Sequence, residues 1–240
     1  MRSRSTLRFF SAAAAAALLV PCAAYAAFPG TPATPTIYQV TLKKVEICTG
    51  SDGVGSCNGA FVVGTSTKSF DIAAVGAGAA VGSYANLSTL PVGSTFTHVR
   101  VTVDSVITVR ASGADGVGTC FTQAAGGGSA SAASAATFAG GPAVTGTVYV
   151  PHVGSYTVAG ATVTLTEADF QTSGSRGYIK RPNDSDVLIT YSLTAPYTPV
   201  LNKQPQVTVK FNVTGAIGFK FTGVACDVFP EPPSVTITVQ

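Results

Sequence analysis

Residues 36–48 read TIYQVTLKKVEIC, and this stretch decides the fold class. Its apolar side chains alternate with polar ones, which is the pattern of a β-strand that buries one face. The alternation changes phase at the two lysines, residues 43–44. A β-bulge inserts one extra residue and so re-aims the side chains after it, and a long strand bulged at the lysines is therefore predicted. The apolar positions are Tyr38, Val40 and Leu42 in the first phase and Val45 and Ile47 in the second.

A second long strand is predicted over residues 96–112, FTHVRVTVDSVITVRAS. Both strands lead into nearly the same turn and a cysteine, SDGVGSC at 51–57 and ADGVGTC at 114–120. Asp-Gly favours a hairpin turn, because glycine tolerates positive φ and aspartate bonds its own backbone. The likeness indicates a weak internal duplication or two strands that finish at the same end of a sandwich; independent use of a common turn is the alternative.

Further short strand candidates are separated by glycines and prolines, as in a sandwich or jelly roll. Strands do not alternate with helical patterns, which argues against a parallel α/β sheet. The predicted fold class is all-β, a single antiparallel β-sandwich or jelly-roll-like domain with Gly/Ala/Ser-rich loops. The candidates are residues 60–64, 68–75, 146–151, 155–166, 186–195, 205–221 and 234–240.

The start of the chain has the pattern of a signal peptide. Three arginines precede an apolar run that is too short to span a bilayer, and Ala24-Tyr25-Ala26 offers a cleavage site. We expect a signal peptide at 1–26, a Pro-rich irregular leader at 27–35 and the sandwich domain at 36–240. Export to the cell surface or medium, through the periplasm in transit, follows. Lipidation of Cys22 is the alternative, and the preceding proline argues against it.

Charge excludes some partners. The whole chain has 14 Lys and Arg against 11 Asp and Glu. The signal peptide contains three of the arginines and no acid, so the mature chain is close to neutral. Neither a nucleic-acid partner nor a charged membrane surface is indicated. No second long apolar run follows the signal peptide, so no membrane span is expected in the mature chain.

Four cysteines remain after the signal peptide, an even number that predicts two disulfides in an exported chain. The favoured pairing joins Cys48 to Cys57 and Cys120 to Cys226. The alternative joins Cys57 to Cys120 and Cys48 to Cys226. Zinc is a poorer explanation, because no C-x-x-C pair is present.

No catalytic or cofactor pattern is found, so an enzyme is not expected and no cofactor is predicted. The two histidines, His98 and His152, lack metal-binding spacing, and G-x-S-x-G is absent. Asp184 and Asp186 are weak calcium candidates that also fit a turn. Tyrosines at 178, 191 and 197 are candidates for stacking on a surface glycan.

These observations favour an exported, non-enzymatic structural protein of the cell surface, such as a filament or surface-layer subunit that binds copies of itself. A strand near a terminus can complete the sheet of a neighbour. The alternative is that both terminal strands pair within one subunit. A secreted adhesive or carbohydrate-binding module is the alternative function. The predicted assembly positions are Tyr38, Val40, Leu42, Val235, Ile237 and Val239.

Overall fold

In the computed structural model, the described residues form eighteen β-strands and no helix. The structure describes residues 31–53, 55–74, 89–114, 118–124, 134–136, 142–150, 154–158, 161–165, 178–180, 182, 185–203, 205–221 and 226–240. The strands are β1 (Thr31–Ala33), β2 (Ile37–Cys48), β3 (Phe61–Gly64), β4 (Lys68–Asp71), β5 (Phe96–Asp104), β6 (Val106–Arg110), β7 (Ser112–Ala114), β8 (Thr119–Phe121), β9 (Ser134–Ala136), β10 (Gly146–Tyr149), β11 (Gly154–Val158), β12 (Ala161–Leu165), β13 (Tyr178–Lys180), β14 (Asp186–Tyr197), β15 (Val207–Asn212), β16 (Ile217–Phe221), β17 (Cys226–Pro230) and β18 (Ser234–Val239). The predicted all-β class is confirmed.

Strand β2 is the centre of the largest sheet. One edge pairs antiparallel with β5 and then β6, which together form one long strand interrupted at Ser105. The opposite edge pairs with β3 and β4. Beyond β5 and β6 lie β14 and β10, and β13 pairs with β14. The stretch that decides the fold class is therefore paired along both edges over most of its length.

The last four strands form one bent antiparallel ribbon. Strands β15 and β18 pair at its outer end, and β16 pairs with β17 further along. Between the two halves, residues 213–216 on one arm lie opposite residues 231–233 on the other. This one-residue excess is a bulge, and bulges bend a ribbon sharply. Gly215 at φ 67° and two consecutive prolines, residues 232–233, occupy the bend.

The bent ribbon packs on the large sheet and buries two core clusters. The first cluster joins β2, β6 and β10 to β16 and β17, with Tyr38, Val109 and Phe219 fully covered. The second joins β5 and β14 to β18, around Phe96 and Ile237. A sheet-on-sheet sandwich results, in which the two halves of the ribbon cover different halves of the large sheet.

The bulge predicted at the lysines is confirmed. Leu42 lies opposite Val103, but Lys44 already lies opposite Thr102, so Lys43 is the extra residue. A bulge places two successive side chains on one side of the sheet. Both lysines accordingly contact acidic residues on the face away from the core. On the opposite edge of β2, the pairs with β4 end at Leu42 and the pairs with β3 begin at Val45, so both lysines lie in the gap between them.

The two long strands finish at opposite ends of the sandwich. Strands β2 and β5–β6 run antiparallel, so Cys48 lies opposite His98 while Ile37 lies opposite Arg110. The prediction of a common end is therefore wrong. Alternating strands look alike in either direction, so their likeness carries no information on orientation. The favoured pairing, Cys48–Cys57 and Cys120–Cys226, is confirmed.

The leader predicted for residues 27–35 is in part a strand. Residues 31–33 form β1 and pair with β16, at the edge of a four-stranded sheet with β17 and β9. Pro32 is exposed there, which fits an edge strand, because proline has no N–H to donate to a second neighbour. Residues 31–33 of the predicted irregular leader are therefore a paired part of the domain.

Candidate functional site

The face of the large sheet that points away from the core carries a buried ion pair. Glu46 in β2 and Arg100 in β5 are direct cross-strand partners. The Arg100 Nε donates to Glu46 Oε2 over 2.8 Å, and Lys44 Nζ lies 3.0 Å from Oε1. Only 6% of the Glu46 side chain is exposed. Both carboxylate oxygens therefore have a cationic partner.

The loop closed by the Cys48–Cys57 disulfide lies over this ion pair. Arg100 Nη1 donates to the carbonyl of Gly55 over 2.8 Å, and the Thr190 hydroxyl donates to the carbonyl of Ser56 over 3.2 Å. Two glycines of the SDGVGSC motif, residues 53 and 55, have positive φ, which other residues rarely adopt. This glycine turn holds two carbonyls against the sheet, so the motif covers the ion pair.

The electrostatics of Glu46 favour a permanent carboxylate. Burial raises the pKa of Glu46, but the hydrogen bonds and charges of Arg100 and Lys44 outweigh it, and the net pKa is lowered. A general base or acid needs a pKa near the working pH and a lone pair or proton to offer the substrate. With both oxygens engaged by cations, the arrangement fixes the register of β2 on β5.

Lys43 forms a second polar cluster at the end of the same sheet. Asp104 and Asp186 are cross-strand partners, so two like charges lie opposite each other. The Lys43 ammonium lies 3.3 Å from Asp104 and 2.9 Å from Asp186, and it donates to the carbonyl of Ser185 over 2.8 Å. Burial lowers the pKa of Lys43, but the two aspartates outweigh it and the net pKa is raised. The ammonium lies beside both facing carboxylates and offsets part of their mutual repulsion.

This cluster contains one of the two calcium candidates. Asp186 forms an ion pair with Lys43, so its carboxylate has a lysine ammonium beside it in the place where a calcium ion would bind. Asp184 lies outside the described residues. Within the described ranges, no group of three or more His, Cys, Asp and Glu side chains is placed to hold a metal ion.

His98 has a hydrogen bond to its neighbour on β5. Its Nδ1 lies 2.8 Å from the Thr97 hydroxyl, which itself donates to the carbonyl of Thr49. A hydroxyl has one proton, so Nδ1 is the donor to Thr97. Burial lowers the pKa of His98, and the ring is neutral at pH 7. His152 lies outside the described residues.

Two of the three tyrosines considered for glycan stacking are buried in the second core cluster. Tyr191 is 5% exposed and Tyr197 is 8% exposed. Burial also raises the pKa of the Tyr191 hydroxyl well above its ordinary value. A stacking platform needs an exposed ring face, so these two rings are unsuited to the role. Tyr178 belongs to β13, and its side chain is outside the described set.

The predicted assembly residues lie inside the subunit. Tyr38 is 2% exposed, and its hydroxyl donates to the carbonyl of Glu231 over 2.8 Å. Val40 and Leu42 pack against the first core cluster. The C-terminal positions, residues 235, 237 and 239, are buried in the second cluster and β18 pairs with β15. Whether these strands exchange between subunits stays a prediction.

The outer edge of β15 is the feature that the sequence did not reveal. The backbones of Gln206 and Gln240 exchange two hydrogen bonds, so even-numbered residues of β15 bond inward to β18. The N–H and C=O groups of Val207, Val209 and Phe211 therefore point away from β18. Among the described residues, no strand pairs with that edge. Alternation at 207–211 predicted the strand, but nothing local encodes which edge stays open.

Strand β18 differs from β15 at its corresponding edge. The Thr194 hydroxyl of β14 donates to the carbonyl of Ile237 over 3.2 Å and lies 3.2 Å from the Thr238 hydroxyl. The large sheet thus approaches β18 and occupies part of its outer edge. No described strand pairs with either outer edge of the β15–β18 pair, and the edge of β15 is the less covered of the two.

No protein-family model, curated protein or solved structure matches this chain. Within the ranges described above, no helix is long and apolar enough to cross a membrane.

Proposed function

We propose that this chain is an exported, non-enzymatic structural protein of the cell surface that assembles with copies of itself through a strand edge. The observation that carries the proposal is the open edge of β15, six residues long. An unpaired strand edge presents main-chain donors and acceptors that a strand of another chain can satisfy. Assembly by this route needs no change in the sandwich.

Two further observations support the proposal. The disulfides are typical of chains that fold in an oxidising compartment, as exported proteins do. The two polar clusters of the large sheet each pair their charges internally, around Glu46 and around Lys43. Such clusters hold strands in register, which suits a structural role. The burial of Tyr191 and Tyr197 leaves the glycan-binding alternative without these two residues.

The test is self-association of the mature protein, purified after export so that both disulfides form. Sedimentation velocity across about a hundredfold range of concentration and negative-stain electron microscopy report the assembly state. Val209→Pro removes an outward-pointing N–H and leaves the bonds to β18 in place. We expect concentration-dependent assembly that is lost in this variant, while circular dichroism reports a folded sandwich.

Lys210→Ala is the matched control, because Lys210 is exposed, lies on the same strand and has its N–H turned toward β18. This variant should assemble like the parent protein. Monomers at every concentration would contradict the proposed function. If Val209→Pro still assembles, the proposed structural role stands, but the contact between subunits lies on a surface other than the β15 edge.

A further inference from the structure

We propose that two copies of this chain pair through their β15 edges, antiparallel about a two-fold axis, with Val209 opposite Val209 of the partner subunit. This inference rests on the proposed function and gives its contact a register. The occupant of the edge is a second copy of the chain, because the edge can hydrogen-bond with itself and can do so without placing like charges directly opposite. Both properties follow from the order of six residues, VTVKFN at 207–212.

Hydrogen bonding restricts the register. In an antiparallel pair, residues that exchange both N–H···O bonds must have their backbone groups turned toward each other. In β15, only Val207, Val209 and Phe211 have their backbone N–H and C=O groups turned outward. The odd-numbered residues of one subunit must therefore lie opposite odd-numbered residues of the other. When Val209 lies opposite Val209 of the partner subunit, Val207 of each subunit lies opposite Phe211 of the other. The backbone groups of all three residues on each strand are then paired, with about six hydrogen bonds in total.

Charge selects the same register. Lys210 is the single charged residue of β15. A shift that places Val209 opposite Phe211 brings Lys210 opposite Lys210 of the partner subunit, and like charges directly opposite are destabilising. With Val209 opposite itself, each lysine lies opposite the neutral Thr208. A shift in the other direction places Val209 opposite Val207 of the partner subunit. It avoids the lysine pair, but the backbone groups of Phe211 in both subunits then have no strand residue opposite them.

The side chains also fit a continued sheet. Val207, Val209 and Phe211 face the second core cluster and are only partly buried. In the paired ladder, Val207 lies beside Phe211 of the partner subunit on that same face, so the exposed flanks of these side chains cover each other. Thr208 and Lys210 remain on the opposite, solvent face. The contact joins two two-stranded sheets into one of four strands.

Cysteine cross-linking tests the register. Thr208 and Lys210 form a pair without direct hydrogen bonds in this ladder, with Cα atoms about 4.5 Å apart, within the span of a disulfide. Two copies of Thr208, or two of Lys210, lie on the diagonal at roughly 7–8 Å and cannot be bridged without movement. The variants are Thr208→Cys and Lys210→Cys, each purified alone and then mixed in equal amounts under mild oxidation.

We expect about tenfold more cross-linked dimer in the mixture than in either variant alone. Peptide mapping should show residue 208 joined to residue 210, with the two native disulfides intact. Thr236→Cys is the matched control partner for Lys210→Cys. It is exposed on the same face of the sheet, but it lies on β18, one strand further from the contact, and should not cross-link.

The other outcomes overturn the proposal in distinguishable ways. A dimer in Lys210→Cys alone or in Thr208→Cys alone means that the edges meet in a different register. No cross-link in any sample, although the parent protein assembles in sedimentation, means that assembly uses another surface and the proposed function stands. A parent protein that is monomeric throughout contradicts both proposals.

Discussion

Tyr38→Phe removes one hydroxyl from the core and leaves the ring that fills it. The Tyr38 hydroxyl donates to the carbonyl of Glu231 over 2.8 Å, at a residue pair with 2% and 6% exposure. Glu231 begins the inner arm of the ribbon bend, where its N–H donates to the carbonyl of Ala216. The hydroxyl thus ties the central strand of the large sheet to the bend that directs β15 and β18 over the second core cluster.

Loss of a buried hydrogen bond without a cavity costs about 1–2 kcal/mol of unfolding free energy. For a domain of this size, that corresponds to a fall of roughly 2–8 °C in melting temperature. The assay is equilibrium urea unfolding followed by circular dichroism, with the m-value compared to confirm the same cooperative transition. Tyr149→Phe is the control, because that side chain is half-exposed in β10 and the change should stay within about 0.5 kcal/mol.

Equal stability of the two variants would refute the view that this bond holds the bend. Self-association gives a second readout from the same samples. Because Tyr38 is enclosed by its own subunit, Tyr38→Phe should leave assembly unchanged. Lost assembly at unchanged stability would instead place Tyr38 at a contact between subunits, as its position near the start of the domain first suggested.

The remaining predictions concern charge, packing and cross-links. The pKa of Glu46 is lower in the folded chain than its ordinary 4.5. The carboxylate therefore contributes to the free energy of unfolding above about pH 4.5, and this contribution is lost as the pH falls through the folded pKa. In urea titrations between pH 6 and 3, Glu46→Gln should lose less stability on acidification than the parent protein. Gly146→Ala should destabilise the fold by about 1–3 kcal/mol, because its Cβ would overlap the carbonyl oxygen of Gln123, and thermal unfolding measures this. Replacing both cysteines of Cys120–Cys226 by serine should cost about 4–5 kcal/mol for a separation of 106 residues, against about 2–3 for the separation of 9 in the other disulfide. Equal losses for the two disulfides would contradict the chain-entropy argument.

Local sequence pattern predicted the long strands, the bulge and the Cys48–Cys57 disulfide. The bulge was predictable because side-chain direction alternates strictly, so one phase change at residues 43–44 has one simple cause. The Cys48–Cys57 pairing was predictable because nine residues and an Asp-Gly turn bring the two cysteines together. In each case the determining residues are close in the chain.

Features that depend on contacts distant in sequence were not predictable in this way. The Glu46–Arg100 pair requires the register of β2 on β5, and a shift of one residue would turn one of the two side chains to the other face. The division of residues 205–221 into β15 and β16 was missed for a similar reason. Its signal, Thr214-Gly215 inside an alternating run, is short, and the bend depends on the prolines at 232–233 on the other arm.

The burial of the terminal strands favours one of the two proposed routes of assembly. Exchange of β18 would remove Val235, Ile237 and Val239 from the core, each at most 9% exposed. Leaving three such side chains in water costs roughly 5–9 kcal/mol until a neighbour supplies an equivalent site. Addition to the edge of β15 exposes nothing and satisfies outward backbone groups, so it is the lower-barrier route. A two-fold contact of this kind closes after two copies, and a filament built on it therefore needs a second contact elsewhere on the sandwich. A protein that assembles only through β15 should stop at dimers, whereas longer particles in electron microscopy would require that second surface.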